Sequence, residues 1–180
     1  MTPAGTAYSR RIASAHERFV ILPEARSEAI DHFRSAKAFT IGSSIGNHTL
    51  EVIGLNFSQV FGQVVECNIP ASLLTVRLLR YAADDVALIE WLGGVGKAML
   101  PSLAIIHQLM TKGVDGPSRT DGGSNLGYLR APDGRRIWAV HWMVNASNNW
   151  VIGAAEVPHP DLDWSPDTYV FCPAVTKGTG

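Results

Sequence analysis

A chain of 180 residues, 46% of them hydrophobic, can bury about 70% of its unfolded surface in one domain, so it needs neither a disulfide framework nor a structural metal to fold. The formal charge of -1 gives no global basic field, which disfavours nucleic-acid or anionic-membrane binding through net charge. Two cysteines, Cys67 and Cys172, are too few for a secreted disulfide scaffold and read as reduced core residues.

The stretch MTPAGTAYSRRIASAHERF lacks the apolar segment of a secretory signal, and no apolar run reaches the roughly 18 residues of a membrane span. A soluble, cytoplasmic protein is expected, with no nucleic-acid or membrane partner. From Tyr8, the residues Tyr8, Ile12, Ala15, Phe19 and Leu22 recur at spacings of four and three, which predicts an amphipathic helix. Pro23 and Glu24 open a second predicted helix to about Lys37, with Ile30 and Phe33 on its buried stripe. Between Phe39 and Ile69 the period approaches two, with Gly42, Gly46, Gly54 and Gly62 as breaks. Two or three strands follow from this, with a turn at Gly46-Asn47 between FTIGSSI and HTLEVIGLNF. SLLTVRLLRYA fits a helix or a strand, and the helix is preferred through Leu74, Leu78 and Tyr81.

An element over Val86 to Leu92 ends at Gly93-Gly94, and an amphipathic helix with Leu103, Ile106 and Met110 runs from Pro101 to Lys112, stopped by Gly113. The polar run Gly113 to Asn125 is a loop. A meander follows: strands LGYLR, RIWAVHWMV and WVIGAAEV, joined by turns at Ala131 to Gly134 and at NASN. A Pro-rich connector leads to a last strand near TYVFC. The expected fold is thus a single α+β domain over residues 1–175 with N-terminal helices, a mostly antiparallel sheet and one central helix packed on it, and a frayed tail over 176–180.

Alternation in RIWAVHWMV puts Trp138, Val140, Trp142 and Val144 on one face and Ile137, Ala139, His141 and Met143 on the other. Both faces are apolar, so the strand belongs inside the sheet with both sides covered. With NASN as the turn, Val140 lies opposite Gly153 and Trp138 opposite Ala155, and the His141 face carries Ile152, Ala154 and Glu156.

Three constellations could carry chemistry. GGVGKAML, Gly93 to Leu100, joins glycines and a lysine to a helix start, where free amides and a positive dipole suit an anion. The string resembles part of the phosphate-binding loop of the P-loop ATPases, although Trp91 stands at the first glycine position and Ala98 at the magnesium-binding hydroxyl. It is also similar to the Gln/Arg-x-x-Gly-x-Gly segment of acetyl-CoA N-acetyltransferases. That resemblance implies an acyl-CoA or phosphate ligand at Gly94, Gly96 and Lys97, with Trp91 and Pro101 departing from the pattern. The competing reading is a structural turn between two helices.

His141, on an interior strand, needs a partner, and Glu156 or a loop residue such as Asp121 or Ser124 could complete an acid-base pair. His159, Asp161 and Asp163 in PHPDLDWSPD match no ligand signature, so no metal site is expected and no cofactor is assigned. Nothing next to Cys67 in sequence, neither a helix start nor a cationic residue, marks it as a nucleophile. Five tryptophans offer recognition surface, Trp164 being the one expected at the surface. Two functions follow: an interaction or assembly protein that binds a protein partner or itself through an aromatic-rich sheet face, or a small-molecule enzyme or binder at Gly93–Lys97 or around His141.

Overall fold

A computed structural model describes residues 18–174. The chain order is β1 (Phe19–Ser27), β2 (Ile30–Arg34), α1 (Ser35–Ala38), β3 (Ser44–Ile45), β4 (His48–Ile53), α2 (Leu55–Phe61), β5 (Val65–Ile69), β6 (Ser72–Leu79), β7 (Ala83–Asp84), α3 (Asp85–Trp91), α4 (Val95–Ala98) and α5 (Leu103–Thr111). A 3-10 turn (Gly113–Asp115) leads to β8 (Asn125–Arg130), β9 (Ile137–Val144), β10 (Trp150–Val157), β11 (Asp163–Trp164) and β12 (Tyr169–Pro173). The protein is mixed α and β, with an eight-stranded sheet in the order β1-β6-β12-β8-β9-β10-β4-β3 and two-stranded ribbons β7-β11 and β2-β5. The sheet is mostly antiparallel, with two parallel pairings, β12 with β8 and β10 with β4. Among the described residues no helix is long and apolar enough to cross a membrane.

The apolar content falls into two clusters. The inner one gathers Leu103, Ile105, Ile106, Leu109 and Met110 of α5 with Trp138, Val140, Trp142 and Val144 of β9, Trp150 and Ile152 of β10, and Phe57 and Phe61 of α2. The outer one joins Leu88, Ile89 and Leu92 of the α3 segment and Ala98 of α4 to Leu126, Tyr128, Ala139, Val170 and Cys172 of the sheet. Both faces of β9 are covered over Ala139, as its double apolar pattern requires.

The central helix α5 begins on a doubled cap. The Ser102 hydroxyl accepts from the Ala104 amide at 3.0 Å. The Glu66 carboxylate, from β5, accepts from the Leu103 and Ala104 amides, both at 3.0 Å, and from the Ser102 hydroxyl at 2.7 Å. Amides left open in the first turn of a helix are thereby satisfied by a carboxylate that also meets the positive end of the helix dipole.

Five expectations are corrected. The helix pattern from Tyr8 lies mostly outside the described residues, and its end is strand β1. The helix expected over Pro23 to Lys37 is the rest of β1, then β2, and only Ser35–Ala38 is helical. Pro23 fits because β1 is an edge strand and its register with β6 breaks between Leu22 and Ala25, where a missing amide costs no ladder bond. SLLTVRLLRYA is strand β6 as far as Leu79, paired on both sides by β1 and β12, which explains its nearly continuous apolar run. HTLEVIGLNF is a strand only to Ile53, since Gly54 caps helix α2. The Gly46-Asn47 turn forms as expected, with Ile45 opposite His48.

The fifth correction is one of register. Val140 pairs with Ala154, and Gly153 pairs with His141, one residue away from the expected pairing. The turn contains five residues rather than four. Asn149 belongs to it, Asn148 takes a positive φ of 62°, and the Asn145 amide donates to the Asn149 carbonyl. A one-residue slip exchanges the faces of β10. Ile152, Ala154 and Glu156 therefore share the Trp face, and Val151, Gly153 and Ala155 share the His141 face.

Candidate functional site

The His141 face is organised around a buried carboxyl group. Asp84 caps α3, its Oδ1 accepting from the Ala87 amide at 2.7 Å. The next residue, Asp85, is 1% exposed. Its Oδ1 accepts from the Tyr128 hydroxyl at 2.8 Å and the Trp164 indole N–H at 2.7 Å, while Oδ2 is buried without a partner. Desolvation pushes the Asp85 pKa up, with hydrogen bonds from Trp164 and Tyr128 opposing and Asp84 reinforcing the rise. Tyr128 is held far above its ordinary range, by burial first and then by Asp85. One side chain thus ties α3, β8 and β11 together. Trp164, expected at the surface, is 6% exposed, because its ring closes over the sheet and its N–H has a buried acceptor.

Trp164 leads to His141. The two rings lie 5.6 Å apart, and on the other side His141 lies over Gly153, where a Cβ would come within 2.6 Å of Nε2. Burial, with no charge or hydrogen bond to offset it, lowers the His141 pKa from its ordinary value. The imidazole is therefore neutral at pH 7. It borders an open depression of about 300 Å³ lined also by Val52, Leu55, Asn56 and Val151. No residue of α3, α4 or β11 lines it, and β10 contributes only its end residue, Val157, to the outer cluster. Val52 is 44% and Leu55 72% exposed.

The other expected partners are elsewhere. Glu156 is opposite Trp138, off the His141 face, and its nearest cation is Arg136 at 3.8 Å. Asp121 pairs with Arg119 at 2.7 Å, and the hydrogen bond from that guanidinium, helped by the Gly123 amide and the pair's charge, lowers its pKa to about 2. Arg119 also donates to the Asp167 carbonyl and lies 5.3 Å from the Tyr169 ring centroid. The loop before β8 is fixed on the Trp142 side, where Ser118 Oγ accepts from the Trp142 indole N–H at 3.1 Å. His141, Glu156 and Asp121 are therefore not brought together.

At Gly93–Lys97 the amides of Gly93, Gly94 and Lys97 are used internally. Gly93 and Gly94 donate to Glu90 and Ile89, and Lys97 and Ala98 both donate to the Gly94 carbonyl. Gly93 and Gly94 adopt φ of 99° and 93°, so the motif is a left-handed turn between two short helices. The side chain of Lys97 folds back over Gly93. Gly94, Gly96 and Lys97 thus lie in the joint between α3 and α4. Among the described residues no group of three or more His, Cys, Asp or Glu is arranged to hold a metal ion.

Sequence reasoning passed over Asp85, which bears no motif and is distinguished only by its place after a capping aspartate. It also placed Cys67 in the core, whereas the thiol is exposed on β5. No family model matches this chain, and neither a curated protein nor a solved structure is detectably similar to it.

Proposed function

We propose that this is an interaction or assembly protein whose docking surface is the uncovered part of the His141 face, over β9, β10 and β4. The observation that supports this reading is the exposure of Val52 and Leu55 beside the His141 depression, on a sheet face that is otherwise packed. The tryptophans that suggested an aromatic surface serve the interior, so the contact is aliphatic with a neutral imidazole at its edge. A depression of about 300 Å³ is at the small end of ligand sites and suits side chains from a protein surface or a second copy.

The test is light scattering over a concentration series, together with affinity capture from a lysate, using wild type and a Val52→Asp, Leu55→Asp double variant. Burying two carboxylates in an apolar contact should weaken association at least tenfold. A strictly monomeric wild type that captures nothing would remove the reading.

A second reading has its own observation. The His141 ring stands at an open depression without a hydrogen-bonded or charged neighbour to perturb it, as a general base awaiting a small substrate would. His141→Gln leaving the binding of every small ligand found by thermal-shift screening unchanged would dispose of it.

A further inference from the structure

The ribbon β2-β5 has two faces with different work. On the inner face Phe33 is buried and Glu66, directly opposite it, caps α5. On the outer face His32 stands directly opposite Cys67, with Nδ1 3.2 Å from Sγ. Arg34, two residues along β2, donates from Nε to His32 Nε2 at 2.9 Å. A guanidinium N–H can only donate, so Nε2 must accept and the ring proton must sit on Nδ1, where it points at the sulfur. All three side chains are exposed, and among the described residues no carboxylate lies within ion-pairing reach of Arg34. The carboxylate next in sequence, Glu66, is committed to the helix on the other face.

We infer that Cys67 is a modification site, a nucleophilic thiol facing an imidazole N–H, with a guanidinium on the far nitrogen of that ring, that takes up half of a small anionic disulfide as a mixed disulfide. A nucleophile, a hydrogen-bonded imidazole and a third group that orients the ring form the recurrent arrangement for activating sulfur. Here the imidazole acts as donor and not as base, because Nδ1 already carries its proton and Nε2 is occupied by Arg34. The thiol proton therefore leaves to solvent. Sγ attacks one sulfur of the disulfide, the new Sγ–S bond forms as the old S–S bond breaks, and the second sulfur departs with the electron pair as a thiolate. Cys67 is oxidised and the released thiol is the reduced product. Arg34 favours disulfides that bear carboxylates. Cys172, buried on β12, is the internal control.

The experiment treats the folded full-length chain with glutathione disulfide as the anionic probe and cystamine as the cationic one. Peptide mass spectrometry follows the adduct at each cysteine, and the same chain in urea supplies the unassisted rate. Native Cys67 should react with glutathione disulfide about tenfold faster than in the unfolded chain, the scale of one hydrogen bond to a charged acceptor. His32→Ala should remove the gain, and Arg34→Ala should erase the preference for glutathione disulfide over cystamine. A native rate no faster than the unfolded one overturns the inference without recourse to any variant. A preference that survives Arg34→Ala overturns the anionic class.

Discussion

Gly153 is the residue on which the His141 face depends. Any Cβ there meets the imidazole at 2.6 Å, so Gly153→Ala must displace the ring from Trp164. The expected cost is about 1–3 kcal/mol, measured as a lowered urea midpoint with an unchanged slope. Asp85 makes a contrasting pair of variants. Asp85→Ala strands two buried donors, the Tyr128 hydroxyl and the Trp164 N–H, and should cost about 2–4 kcal/mol. Asp85→Asn keeps an acceptor without a charge and should cost much less. Because the folded-state pKa of Asp85 is raised from 3.8, its favourable contribution is complete below that value and is lost as pH rises through the folded value. The Asn variant should therefore lack this part of the pH dependence of stability. None of this was legible in the sequence, where Asp84-Asp85 reads as a plain polar start to a helix and the partners of Asp85 lie 43 and 79 positions away.

At the scale of elements, the strongest single link is the Glu66 cap on α5. Glu66→Ala leaves two helix amides and a buried serine hydroxyl without their carboxylate, with an expected loss of about 1–3 kcal/mol. Hydrogen exchange should show the first turn of α5 opening before the rest of the helix. The helix itself and the three strands β8, β9 and β10 were readable, since each is a long periodic run bounded by glycine, proline or asparagine. What misled was periodicity without context. Phe19 to Leu22 fits helical spacing, yet becomes an edge strand because β6 offers it a partner. SLLTVRLLRYA looked ambiguous alone and is settled by strands on both sides. The slip in the β9-β10 register came from one residue, Asn149, that composition assigns equally well to turn or strand. That slip moved Glu156 to the opposite face from His141, so the acid-base pair read from the sequence depended on a single count.

For the whole molecule, two histidines set the acid limit. His107, on α5 among Phe33 and Phe39, and His141 both have pKa values lowered from 6.5 by burial. The unfolded chain binds their protons first, so the stability they contribute is complete above pH 6.5 and is lost as pH falls towards their folded values. Urea midpoints taken from pH 8 to pH 5 should be flat at the alkaline end and decline below about 6.5. A combined His107→Gln, His141→Gln variant should shift that decline to lower pH. Asp121, although held near 2, is 63% exposed in its ion pair, and solvent screening leaves it a minor share.

The position of β12 carries one further consequence. The last of the described strands in chain order lies third across the sheet, with β6 on one side and β8 on the other. During synthesis on a ribosome the β1-β6 pair and the block from β8 to β3 can each form as they emerge, but they remain two separate edges until the residues from Tyr169 to Pro173 leave the exit tunnel. The sheet is therefore closed by the last-made of its described strands. Nascent chains arrested before Tyr169 should bind chaperones and be cleaved readily by protease, and release of a few more residues should protect both halves at once.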